Sequence, residues 1–208
     1  MSLTAKSTAT VKRDPITAGV KTAVCCGIVD LCEQESVWEG KVKSADKVMF
    51  IWELPKEVIE TEDGPRPRTI SKQYTNSLHE KAGLRKLLQN WRGIPFPAGN
   101  DVEFDLLEML GKGCLISIIH AAGKDGETYA RVGDVIGLPE GMDAPKATHL
   151  FSLNLDDPDA LDTLELLPGW VQDRVKAGKT YPILLARRER PDWAPEDVPM
   201  DSEEDAVF

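Results

Sequence analysis

Hydrophobic and polar positions change period several times along this chain, and each change predicts an element. Ala23 to Leu31 (AVCCGIVDL) is an apolar, β-branched run with Gly27 inside it, the pattern of a strand with a bulge or bend. Lys47 to Leu54 (KVMFIWEL) is rich in β-branched and aromatic residues and bounded by Asp46 and Pro55, which predicts a second strand. A charged, turn-rich stretch, Glu60 to Arg68, reads as a loop into a third strand, Thr69 to Asn76, whose alternation puts Ile70, Lys72 and Tyr74 on one face. The period then becomes helical: Leu84, Leu87, Leu88 and Trp91 follow Ser77 and Glu80, the spacing of a capping box, and Gly93 ends the helix. Val102 to Leu110 reads as a second short helix before Gly111. Cys114 to Ala121 and Thr128 to Leu138 then flank a Gly-Lys-Asp-Gly turn, the signature of a hairpin.

Three strands, a helical insertion and a closing hairpin give five strands in the order of an OB-fold barrel, so the expected class is mainly β with helices. A small sandwich or another α+β sheet remains open, because strand pairing does not follow from periodicity. The expected divisions are a flexible N-terminus (1–18), an OB-like barrel (19–138), a loop and helix packed on it (139–191) and a disordered acidic tail (192–208). Within 139–191, Asp156 to Asp162 is an acidic segment, and Leu166, Trp170, Val171 and Val175 form one apolar stripe on a helix starting near Pro168.

Composition bounds the size of the core: 208 residues, 41% of them hydrophobic, suit one domain with appendages. The net charge of −10 is uneven, because Asp192 to Phe208 holds seven acids and no base, and the rest of the chain stands at −3. Residues 1–92 are +3 and residues 93–191 are −6, so a polyanionic ligand would have to meet a local basic face. Carboxylates interspersed with Pro191, Pro195 and Pro199 predict disorder, and the Phe208 tip makes Asp201, Glu203, Glu204, Asp205 and Phe208 a candidate docking segment for a pocket lined with Arg or Lys.

Cys25, Cys26, Cys32 and Cys114 lack C-x-x-C spacing and read as buried free thiols, without a zinc site. No signal core or membrane span is seen in the sequence, which points to the cytoplasm of a host cell. The chain has no Walker loop, no G-x-S-x-G and no H-E-x-x-H, and His79, His120 and His149 are scattered, so neither an enzyme nor a cofactor is expected.

Single-stranded nucleic acid needs cations for phosphates and rings on which bases stack. Trp38, Lys41, Lys43, Trp52, Arg66, Arg68, Lys72 and Tyr74 lie on or beside the first three strands, and Trp91 and Arg92 end the helix. Trp52 and Trp91 have apolar neighbours, and a tryptophan in such company is more often core than stacking platform. Tyr74 and Trp38 have polar neighbours, and Tyr74 shares its predicted face with Lys72.

GIVDL (27–31), WEL (52–54), QYTNSLHEKAGLRKLLQNWRG (73–93), FDLLEMLGKGCLISIIH (104–120) and LPGW (167–170) resemble a family of phage-type single-stranded DNA-binding proteins, over roughly residues 19–178. The resemblance implies an OB-like fold that shields single-stranded DNA in phage-like replication or recombination. Its acidic tail would dock replication or recombination proteins at Asp201 to Phe208. Ala206 and Val207 depart from the acidic or proline residues usual beside the terminal Phe. No membrane partner is implied, and a homo-oligomer is left open. Two other classes remain: an acidic protein-interaction module or DNA mimic, and a DNA-processing nuclease.

Overall fold

The computed structural model describes residues 14–38, 40–61, 64–99, 101–123 and 126–189. The acidic tail, with Asp201, Glu203, Glu204, Asp205 and Phe208, lies outside the described residues. Five of the sheet's six strands form its antiparallel path: β1 (Gly19–Trp38), β2 (Lys41–Thr61), β3 (Gly64–Thr75), β4 (Gly113–Ala122) and β5 (Thr128–Ile136). They pair antiparallel in the order β3-β2-β1-β4-β5, and the sheet curls into an OB-fold-like barrel. Helix α1 (Gly83–Arg92), inserted between β3 and β4, packs on β3 and β5.

No backbone ladder joins β3 to β5, the two edges of the curled sheet. A side chain bridges them instead: Lys72 Nζ on β3 donates to Val132 O and Gly133 O on β5, both at 3.1 Å. The predicted common face of Ile70, Lys72 and Tyr74 turns toward the barrel interior, and the Tyr74 ring meets Phe50 edge-on at 6.1 Å.

Alternation along β2 explains why two cores exist. Val48, Phe50, Trp52 and Leu54 fill the barrel with Ala23, Ile116, Val132 and the α1 residues Leu84, Leu88 and Trp91. Met49 and Ile51 point the other way but are equally buried, together with Cys26 and Val29 of β1. Over that outer face lie β6 (Phe151–Leu153), parallel to β1, and helices α2 (Ala160–Leu166), α3 (Gly169–Lys176) and α4 (Tyr181–Glu189). A strand buried on both faces reads as a continuous apolar run, which is what KVMFIWEL is. Glu53, buried on this outer side, accepts from the backbone N–H and the hydroxyl of Thr148 at 3.0–3.2 Å, which ties the loop before β6 to the sheet.

Bulges give β1 its curvature. The ladder to β2 shifts between Cys25 and Gly27 and again between Asp30 and Glu33. Gly27 is required by space, because a Cβ there would lie 2.5 Å from the Phe151 ring. At the second shift Cys32 takes a left-handed conformation, φ 60°, and Asp30 accepts from its N–H at 2.9 Å.

Several expected boundaries are corrected. The strands run well beyond the predicted 23–31, 47–54 and 69–76, and the predicted loop 60–68 continues the β2–β3 hairpin with Thr61 opposite Gly64. Pro65 and Pro67 are tolerated because β3 is an edge strand. The capping box does not form: Ser77 Oγ accepts from His79 N, Glu80 accepts from Gly99 N, and α1 starts after Ala82. Buried Arg85, donating to the carbonyls of Leu78, Pro97 and Gly99, binds that turn to the loop after α1. Val102 to Leu110 yields only a 3-10 turn, Leu106–Met109, capped by Asp105. Ile16, which falls within the stretch 1–18 expected to be flexible, is buried in the barrel core. Part of the acidic segment 156–162 begins α2, and α4 was not foreseen. The proposed stripe also splits, since Val171 and Val175 are buried while Leu166 is 87% exposed and Trp170 projects outward.

Candidate nucleic-acid interface

The split stripe on α3 creates the surface of interest. Val171 and Val175 anchor the helix to the outer core, which leaves Trp170 and Arg174, also four residues apart, on the adjoining stripe. They overhang β3 and β5. Together with Met49, Ser71, Lys72, Gln73, Ala130, Arg131 and Val132 they line a cleft of about 450 Å³. Trp170 is 45% exposed, so its ring is open to a ligand while its helix is held by valines.

A second, wider cleft continues along the same seam. Arg68, Thr69, Ile70 and Ser71 form one wall, Gly126 to Ala130 the other, and Asp14 to Ile16 lie at its end. Ser71 and Ala130 line both clefts, so the two make one groove along the β3–β5 seam. Four cations line it, Arg68, Lys72, Arg131 and Arg174, and its exposed rings are Trp170 and Tyr129, the latter 44% exposed. Asp14 and Glu127 supply negative charge at the Tyr129 end. Cationic and aromatic side chains therefore share the lining of one groove, with Ser71 and Gln73 offering hydrogen-bonding groups.

The groove gathers only two of the residues singled out in the sequence, Arg68 and Lys72. Lys72 is half-buried: besides bridging β3 to β5 it lies 5.4 Å from the Tyr74 ring, as their shared face implied. Tyr74 is a correction, because its half-buried ring packs on the barrel core and is not free on both faces. Burial, with Asp134 nearby, pushes its hydroxyl pKa up and keeps it neutral. Trp52 is a second correction: it is fully buried and stacked on Phe50 at 5.8 Å, with no face left for a base. Trp91 is a third, buried in the barrel with Nε1 donating to Gly113 O at 3.0 Å. Arg92 lies away from the groove. Its guanidinium lies between the Phe96 and Phe104 rings, 4.8 and 4.5 Å from their centroids, and lines another cleft with Ile94, Lys112 and Ile136.

Lys41 and Lys43 are exposed near the tip of the β1–β2 hairpin and Arg66 near the tip of β2–β3; none of them lines the groove. Trp38 pairs with Lys41 through the backbone, and its side chain lies outside the described residues. Arg131, Arg174 and Tyr129 escaped the sequence reading, which placed Trp170 only on an apolar stripe. Their signals were short ones: Tyr129 and Arg131 alternate on β5, and Trp170 and Arg174 share a helix face.

All four cysteines are free and buried. Burial is the main cause that raises their thiol pKa values, to about 12 for Cys26 and Cys114 and about 11 for Cys32, and it raises Cys25 too. They stay protonated and unreactive at neutral pH. Among the described residues no group of three His, Cys, Asp or Glu side chains is placed to hold a metal ion, and no helix is long and apolar enough to cross a membrane. Compared with models of known protein families and with curated proteins, the chain matches none.

Proposed function

We propose that this protein binds single-stranded DNA without strong sequence preference, shields it during phage-like replication or recombination, and docks partner enzymes through its acidic tail. The observation that carries this reading is the half-exposed indole of Trp170 in one cleft with Lys72, Arg131 and Arg174. A ring offers a π-face to any base, and cations follow the backbone whatever the sequence. The reading agrees with the family resemblance of the sequence.

The test is titration of fluorescent oligo(dT) and a matching duplex at two salt concentrations. The expected result is preference for the single strand, weakening as salt rises because bound cations displace condensed counterions. Equal or absent binding of both ligands overturns the proposal.

A second reading, a protein-interaction module, is favoured by a different surface. Val20, Ile119 and Ile136 are each about half exposed or more on the uncovered outer face of β1, β4 and β5. Under that reading an oligonucleotide leaves the fluorescence of Trp170 unchanged.

A further inference from the structure

Two walls of the groove, β3 and β5, are strands held in their sheet by ladders, but the wall made by α3 has no ladder. Trp170 and Arg174 stand in the cleft only while that helix keeps its place and its rotation over β3 and β5. Val171 and Val175 anchor it by apolar burial, which has no direction and does not by itself stop a helix from sliding or turning. Hydrogen bonds, which are directional, fix its register.

They come from the second bulge of β1. Around the shift between Asp30 and Glu33, groups of β1 bond to the C-terminal end of α3 and the turn after it. Glu33 N donates to Thr180 Oγ1 at 3.2 Å, and Glu33 O accepts from Lys179 N at 3.0 Å. Both partners lie between α3 and α4. The contact that reaches the helix itself is the half-buried side chain of Gln34, whose Nε2 donates to Leu31 O at 2.5 Å and to Arg174 O at 3.2 Å. Arg174 belongs to the last turn of α3, where carbonyls lack intrahelical donors, and Gly178 N donates to Val175 O at 2.9 Å. One amide therefore ties the bulge to the backbone of a residue whose side chain lines the groove. Gly178 permits the close approach: a Cβ there would lie 2.8 Å from Gln34 Nε2 and 2.9 Å from Leu31 O. Glu35 and Lys179 pair nearby at 2.8 Å, but both are about half exposed and contribute little.

We infer that the second bulge of β1 is a clasp for α3 and that Gln34 is its positioning residue, holding the Arg174 backbone so that Trp170 and Arg174 face a bound strand. The inference rests on the proposed DNA-binding reading and adds to it what sets the stance of the third wall. Gln34 does not line the groove, so its effect on a ligand passes through α3.

The experiment is an anisotropy titration of oligo(dT) with Gln34→Met, which keeps the length of the side chain and removes the donor. It is made in the full chain and in Trp170→Ala/Arg174→Ala, where α3 has no groove side chain left to place, at low salt so that binding through Lys72 and Arg131 is still measured. The expected result is several-fold weaker binding from Gln34→Met in the full chain and no further loss in the Trp170→Ala/Arg174→Ala background. Such non-additivity separates positioning from a general loss of stability, which would weaken binding in both. Unchanged affinity in the full chain, or an equal loss in both backgrounds, overturns the clasp. If Gln34→Met shows no cooperative urea unfolding, Thr180→Val, which removes the acceptor of Glu33 N, is held to the same two criteria. Failure of the full chain itself to bind oligo(dT) is a different readout and overturns the proposed function.

Discussion

At position 170 an indole stands open beside three cations, so its removal tests the groove with little cost to the core. Trp170→Ala should weaken oligo(dT) binding by about 1–3 kcal/mol, the worth of one stacked base, and abolish oligonucleotide quenching of tryptophan fluorescence while the thermal midpoint hardly moves. Trp52 and Trp91 make the contrasting case. Both are buried, but Trp91 donates a hydrogen bond whereas Trp52 Nε1 has no acceptor among the described residues. Trp91→Phe therefore strands the Gly113 carbonyl and adds a polar penalty of about 1–3 kcal/mol to the cavity cost, while Trp52→Phe leaves no partner behind. Urea unfolding of the two variants should show Trp91→Phe to be the more damaging. The same burial governs the thiols. A thiol pKa raised from 9.0 to about 12 in the folded state leaves the stability of that group intact below pH 9 and lost as pH rises toward 12, because only the unfolded chain then releases the proton. Urea midpoints measured from pH 8 to pH 11 should fall above pH 9, and native protein should resist thiol reagents at pH 8.

Among the elements, β1 shows how one residue sets curvature. Gly27→Ala would push a methyl group into the Phe151 ring and lift β6 from β1, so a loss of several degrees in thermal midpoint is expected, with partial recovery in Gly27→Ala/Phe151→Leu. The bulge itself was legible, because a glycine within an apolar β-branched run has few other reasons to be there. The order of strands and α1 was legible too, since each carried a clear period and Gly93 supplied the stop. What periodicity lacked was cover. The run KVMFIWEL gives no sign of whether its second face meets water or another layer, and that layer comes from α2 and α3, a hundred residues later. The capping box failed for a similar reason: Ser77 and Glu80 had the right spacing, but other backbone N–H groups took their oxygens. The groove was least legible, because it joins β3, β5 and α3 across a seam that no local pattern encodes.

For the whole molecule, the balance of charge bears on how the proposed binding would be regulated. The full chain is at −10 and would stand at −3 without Asp192 to Phe208, so the tail holds most of the excess. Under the proposed function an acidic segment competes with DNA for the cationic groove, and removing residues 192–208 should tighten oligo(dT) binding, most strongly at low salt. Fluorescence anisotropy of the truncated and full chains checks this, and equal or weaker binding after truncation rules the competition out.

The bridge from Lys72 to Val132 and Gly133 has a mechanical consequence. Elsewhere neighbouring strands are held by ladders of many amide bonds, which open only if several break together; here one ammonium grips two carbonyls and can let go by a single rotation of its stem. The barrel thus has a built-in line of least resistance, and it runs along the floor of the groove. Amides of β5 should exchange with deuterated solvent sooner than those of β1. Lys72→Met should widen that difference, and a bound strand spanning Arg68 to Arg174 would act as a suture that narrows it.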